Sequence, residues 1–97
     1  MSAEARVTVT DVPQSHRFEA RLDGELAGYL SYLRDDEQVD YQHTVVDEEY
    51  EGMGVGGALA RAALDDGRKR GIRVKVTCPF LKEWLVRHPE YLPDAQD

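Results

Sequence analysis

"EYEGMGVGGALARAAL", residues 49–64, places Gly52, Gly54, Gly56 and Gly57 within six positions, directly ahead of a run of strong helix formers. A helix start exposes N–H groups that have no intrahelical partner, together with the positive end of the helix dipole, so it attracts anions. Glycines let a bulky phosphate approach the backbone and adopt φ values that aim several N–H groups inward. The stretch therefore predicts a phosphate cradle at the mouth of a helix, against the plainer reading of a tight strand-to-helix turn kept small for packing. Gly52, Gly54 and Gly57 fit the G-x-G-x-x-G spacing of dinucleotide folds. Such a fold also wants an acidic residue about 20 positions further on, where this chain reads "KVTCPF". No Gly-Lys-Ser/Thr is present, which excludes a Walker A loop.

Upstream, "RVTVT" (6–10) alternates with Val7 and Val9 on one face, and "HRFEARL" (16–22) alternates with Phe18, Ala20 and Leu22, predicting two half-buried strands. Pro13 lies in the break between them, and "DGE" (23–25) predicts a hairpin turn because Asp and Gly tolerate positive φ. "LAGYLSYLR" (26–34) is apolar on both faces and suits a central strand. "QVDYQHTVV" (38–46) alternates so that Val39, Tyr41, His43 and Val45 share a face. From Val55 the period becomes helical: Val55, Leu59, Ala62 and Ala63 form a stripe with Ala58 beside it. Asp65 with Lys69 and Asp66 with Arg70 add i, i+4 pairs in the favourable order, and Gly71 is a C-cap. "IRVKVT" (72–77) reads as a strand, so the strand–helix–strand succession implies a right-handed crossover and parallel pairing. "PFLKEWLVRH" (79–88) begins with Pro79 in a first helical turn and puts Phe80, Leu81, Trp84, Leu85 and His88 on one face. The expected fold is α+β, an α/β sandwich around a mixed, mostly antiparallel sheet of about five strands in the order ββββαβα, as a single domain over residues 1–97.

A chain of 97 residues has room for one modest core, and 41% apolar residues fit a folded protein even with 32% charged ones. No stretch is apolar enough to span a bilayer and "MSAEARVTVT" lacks the apolar core of a signal peptide, so the expectation is a cytoplasmic protein with no membrane partner. The single Cys78 cannot form an intramolecular disulfide, in keeping with a reducing compartment. A net charge of −7 argues against nucleic acid as a partner, since phosphate backbones are held by Lys and Arg. The expected state is a monomer or a weak homodimer. Of two acidic clusters, residues 35–37 read as a solvated turn and residues 47–49 lie beside the glycine run. His16, His43, His88 and Cys78 show no metal-ligand spacing, so no metal is expected.

"VVDEEYEGMGVGGALARAAL" (45–64), following a strand and opening a helix, resembles the acetyl-CoA-binding segment of the GCN5-related N-acetyltransferase superfamily, usually Gln or Arg, then x-x-Gly-x-Gly/Ala. Glu51, Gly54 and Gly56 take the pattern's positions, with Gly52 and Met53 between Glu51 and Gly54. "HTVV" with "CPFLKEWLVRHPEY" is further similar to short, single-module members that lack the helical segment between the first two strands. The resemblance covers most of the chain. It implies an N-acetyltransferase that passes an acetyl group from acetyl-CoA to an amine, either a protein or peptide lysine or a small cationic amine. The other reading it permits is a non-catalytic acyl-CoA-binding or sensor module. It also implies that backbone N–H groups of Gly52, Met53, Gly54, Val55, Gly56 and Gly57 hold the pyrophosphate, and that Thr44, Val45 and Val46 pair with the pantetheine arm and the thioester carbonyl. Two positions depart from the pattern. Glu51 sets a carboxylate where the family carries Gln or Arg, a Coulomb cost beside pyrophosphate that Arg61 could offset. Trp84 and Leu85 stand where many members place a Tyr that protonates the leaving thiolate, and an indole cannot supply that proton.

Cys78 is the substitute to test, because it follows the last strand at a helix mouth. It is a candidate general acid to coenzyme A or an acyl-carrying nucleophile, weighed against a buried, inert thiol. His43 is a candidate general base for an ammonium substrate, weighed against a core histidine beside Val39 and Tyr41. His88 and Tyr91 are expected to end the last helix, with Tyr91 a weaker acid candidate, and Trp84 to belong to the core.

Overall fold

Asp23 (φ 51°) and Gly24 (φ 87°) take positive φ in succession, the geometry that matches the right-handed twist of two antiparallel strands joined by a two-residue loop. In the computed structural model, which describes residues 6–94, this turn joins β2 (Arg17–Leu22) to β3 (Glu25–Arg34). β1 (Val7–Val12) precedes them and β4 (Gln38–Val46) follows, all paired antiparallel with their neighbours. α1 (Val55–Arg70) then crosses over to β5 (Arg73–Val76), which pairs parallel to β4, and α2 (Pro79–Arg87) closes the succession. The sheet order is β1-β2-β3-β4-β5, with β3 at its centre. The ββββαβα reading is correct in order and in type. The turn at residues 35–37 is held as expected by the Asp35 carboxylate, which accepts the N–H groups of Glu37 and Gln38 at 2.8 and 2.9 Å. Those two bonds favour the charged form and lower its pKa.

α1 buries Val55, Leu59, Ala60, Ala63, Leu64 and Gly67 against the sheet. Each of the larger side chains contributes about 1.5–3 kcal/mol through its removal from water. Across from them Phe18, Tyr32 and Tyr41 form a tilted aromatic cluster, with ring centroids 5.3 and 6.4 Å from that of Phe18. The Tyr41 hydroxyl donates to the Ala63 carbonyl of α1. Burial, and for Tyr32 the neighbouring Asp11 as well, raises the pKa of both tyrosines well above the ordinary phenol value. At the far end of α1, Arg34 bridges Asp11 (3.0 Å) and Asp66 (3.4 Å), and Arg70 binds the same two carboxylates at 3.3 and 2.6 Å. Gly71 (φ 67°) caps the helix as expected.

The face assignment of β4 needs correction. Strict alternation predicts that His43 and Val45 share the inner face with Val39 and Tyr41. Instead the register passes from Ser31↔His43 to Tyr32↔Tyr41, leaving Gln42 as an extra residue. One extra residue reverses the phase of everything beyond it. Val39 and Tyr41 remain buried, but past the bulge Thr44 and Val46 turn inward and His43 and Val45 turn to the exposed outer face. Phe80 also departs from expectation: only Leu81, Trp84 and Leu85 of α2 are buried, and Phe80 is 40% exposed.

Candidate functional site

The glycine run produces a loop with two left-handed residues, Gly52 (φ 82°) and Gly54 (φ 83°), the second acting as the N-cap of α1. The Ala58 N–H makes the first helical bond, to the Gly54 carbonyl at 3.0 Å, so the N–H groups of Val55, Gly56 and Gly57 have no helical partner. No side chain caps this end. The result is a set of N–H groups without helical partners at the positive end of a sixteen-residue helix, which suits an anion such as a phosphate group.

The loop opens onto a cleft of ≈ 630 Å³. β4 supplies Thr44 and Val46 to its wall, the loop supplies Glu51, Gly52 and Gly54, the first turn of α1 supplies Val55, Gly56 and Gly57, and α2 with its C-cap supplies Phe80, Trp84, Arg87 and His88. The Phe80 ring lies over Gly56 so closely that a Cβ there would stand 2.7 Å from its Cζ, so a side chain at this position would displace the ring. The Arg61 guanidinium and the Trp84 indole nitrogen lie beside Gly57, each 3.6 Å from where its Cβ would be. Arg61 thus brings positive charge to the first turn of α1. Glu51 is exposed on the rim.

Strand divergence makes the cleft's second feature. β4 and β5 stay paired only from Gln38↔Arg73 to Tyr41↔Val76, after which the Tyr41 carbonyl receives the N–H groups of Thr77 and Cys78, each at 2.9 Å. Further along, the Asp47 N–H bonds the Ala27 carbonyl of β3 at 2.8 Å. Strand alternation turns Val45 the same way and directs the backbone groups of Thr44 and Val46 to the opposite edge, past the end of β5. That edge can accept an extended amide-bearing chain as an added strand.

The sequence-expected residues separate into two groups. Thr44, Val46, Glu51, Gly52, Gly54, Val55, Gly56 and Gly57 line one cleft, while Met53 is exposed in the loop and Val45 points to the outer face. Cys78 stands behind the wall. It is 1% exposed, its thiol receives the Leu81 N–H at 3.5 Å as the N-cap of α2, and it lies 3.3 Å from the Thr44 hydroxyl. The thiol so placed is not among the groups that line the cleft. His43 is not in the cleft either, because the bulge turns it outward.

Reading the sequence missed the α2 wall. Trp84 is 7% exposed and belongs to the core, yet it also faces the cleft. His88 caps α2 as expected, with Nδ1 2.9 Å from the Trp84 carbonyl, but its ring also stacks on Trp84 at 3.9 Å and lines the cleft. The spacing of residues 80, 84 and 88 at successive helical turns was the available signal, since it aligns three rings on one stripe. Among the described residues no cluster of His, Cys, Asp or Glu could hold a metal ion, and no helix is long and apolar enough to cross a membrane.

A five-stranded mixed sheet whose parallel pair splays beside a glycine-rich helix mouth defines an acetyltransferase-type fold. The chain belongs to the GCN5-related N-acetyltransferase family, whose model matches residues 17–95. It is 32% identical over 87 residues to Protein NATD1 of Mus musculus, covering 86% of this chain and 79% of that protein. It is 29% identical over 96 residues to the Danio rerio protein of the same name, covering 95% and 87%. The match to the Bos taurus protein spans only 53% of that relative's length. Among solved structures, a GCN5-like protein from Staphylococcus aureus matches with a TM-score of 0.70 at 20% identity, over 95% of this chain and 90% of that one. Ard1 from Thermoplasma volcanium matches at 0.56 with 26% identity, over 66% of this chain and 44% of that one.

Proposed function

We propose that this protein binds acetyl-CoA in the cleft and transfers the acetyl group to an amine. The observation that carries the reading is the continuity of two empty hydrogen-bonding surfaces: the unpartnered N–H groups of residues 55–57 and the vacant β4 edge at Thr44 and Val46. A diphosphate on the first and an amide-bearing arm along the second would place the thioester near Thr44, where the strands diverge. Family membership supports acetyl transfer as the reaction class. Most of the rate would come from positioning, because a thioester is already activated towards amines.

The amine would arrive on the outer face, where His43 and Val45 are exposed beside the gap between β4 and β5. A shallow trough of ≈ 170 Å³ lined by Leu26, Tyr29, Val45 and Asp47 lies on that face and suits an aliphatic stem that ends in a cation. In this arrangement His43 is the general base, and a protein lysine or a linear polyamine is the acceptor. The test is acetyl transfer from acetyl-CoA to poly-L-lysine and to spermidine, with His43→Ala alongside. Transfer by the wild type, reduced about a hundredfold in His43→Ala with acetyl-CoA affinity unchanged, supports the assignment. Full activity in His43→Ala removes that role. Burial of Cys78 and the indole at position 84 favour a second reading, a non-catalytic acyl-CoA-binding module, which predicts binding without transfer to either amine.

A further inference from the structure

We infer that the Thr44 hydroxyl protonates the departing thiolate of coenzyme A and that the Cys78 thiol, behind it, supplies the proton through Thr44. The inference rests on the proposed acetyl transfer and names the acid that the reaction requires. Thr44 lines the cleft at the point where β4 and β5 part, whereas Cys78 does not reach it. The two heteroatoms are 3.3 Å apart, and either can donate.

Local bonding allows the donation to run from Cys78 to Thr44. The Cys78 sulfur already accepts the Leu81 N–H at 3.5 Å, and its single hydrogen is therefore free to be donated to the Thr44 oxygen. The Thr44 hydrogen is then left to point into the cleft. A thiolate formed at Cys78 would sit at the N-cap of α2, facing the Leu81 N–H and the positive end of that helix. The side chain that cannot touch the substrate is thus placed to hold the charge that the relay creates.

The step balances as follows. The amine nitrogen bonds to the thioester carbon, the C–S bond breaks, and its electron pair stays on the sulfur of coenzyme A. That sulfur takes the Thr44 proton while Thr44 takes the Cys78 proton. The surplus proton on nitrogen passes by way of His43 to solvent, and solvent returns one to Cys78 through Thr44, so the products are the amide and free coenzyme A.

Thr44 is the group that touches the substrate, and Cys78 is a positioning residue and proton source. The experiment measures coenzyme A release from acetyl-CoA with poly-L-lysine and spermidine as acceptors, and acetyl-CoA affinity by calorimetry. Thr44→Val should lower kcat about a hundredfold with acetyl-CoA affinity unchanged, and Thr44→Ser should restore most of it. Cys78→Ser should lower kcat similarly while its melting temperature holds or rises, because Ser is a strong N-cap but does not give up its proton as a thiol does. A merely structural Cys78 would keep full activity as Ser. Wild-type kcat in Thr44→Val or Cys78→Ser, or failure of Thr44→Ser to recover activity, overturns the relay while leaving acetyl transfer in place. Binding of acetyl-CoA by the wild type without transfer to either amine overturns both.

Discussion

Gly54 offers a substitution pair that isolates charge at the phosphate cradle. Its φ of 83° is left-handed, so any side chain costs about 1–2 kcal/mol there, with Asn and Asp at the tolerant end. That geometry is not the extended one in which an N-cap side chain reaches back to the helix, so Asp gains no capping bond. Gly54→Asn and Gly54→Asp should therefore lose similar stability, about 1 kcal/mol, or roughly 4–8 °C in a domain of this size. Their difference lies in binding. A carboxylate ~5 Å from a phosphate charge costs ~3 kcal/mol at an effective dielectric of 20 and ~1 kcal/mol in water. The loop is exposed at Gly52 and Met53, which favours the lower figure. Two phosphate charges then make about 2 kcal/mol, or an affinity for acetyl-CoA about thirtyfold weaker in Asp than in Asn. Calorimetry at low salt measures the ratio, and the gap should close in 1 M salt, where the screening length falls to about 3 Å. Equal affinities of the two variants at low salt would refute the assignment of the pyrophosphate to this loop.

Glu51→Gln should tighten acetyl-CoA binding about two- to fivefold by removing a like charge from the rim, read by the same titration. Gly56→Ala forces a Cβ to within 2.7 Å of the Phe80 ring, which is exposed enough to swing into the cleft; affinity should fall with little change in melting temperature, and Phe80→Ala in the same chain should restore it. Gly67→Ala meets Val74 Cγ2 at 2.7 Å and the Tyr41 hydroxyl at 3.1 Å in the closed core, so denaturant unfolding should show a loss of about 1–2 kcal/mol despite the better helix propensity of Ala. Tyr32 and Tyr41 hold their protons more tightly folded than unfolded. The folded chain thus binds more protons above the ordinary phenol pKa, and stability, level below pH ~10, should fall as pH rises beyond it. Tyr41→Phe should make that alkaline decline shallower in a series of melts.

The sequence carries the strand and helix succession because periodicity and turn chemistry are local. Asp23–Gly24, the glycines ahead of Val55, and Gly71 each mark a boundary by a backbone need that few other residues meet. What escaped it was a consequence of pairing. Nothing in "YQHTVV" marks Gln42 as an extra residue, since the bulge is set by how β4 registers on β3, and that one residue decides which of His43 and Thr44 faces the cleft. Likewise the apolar stripe of α2 does not say that Phe80, Trp84 and His88 border an opening, which arises only where β4 and β5 diverge. Cys78 was legible as a helix mouth, but its burial behind Thr44 follows from α2 packing beside β4.

The central claim is that acetyl-CoA occupies the cleft at the glycine loop, and thermal unfolding with and without millimolar acetyl-CoA tests it most directly. A ligand at a hundredfold excess over its dissociation constant adds about 2.7 kcal/mol. The account predicts a rise of about 10–20 °C for a domain of this size at that excess, absent with pantetheine alone, which lacks the pyrophosphate. An unchanged melting temperature with acetyl-CoA would contradict it.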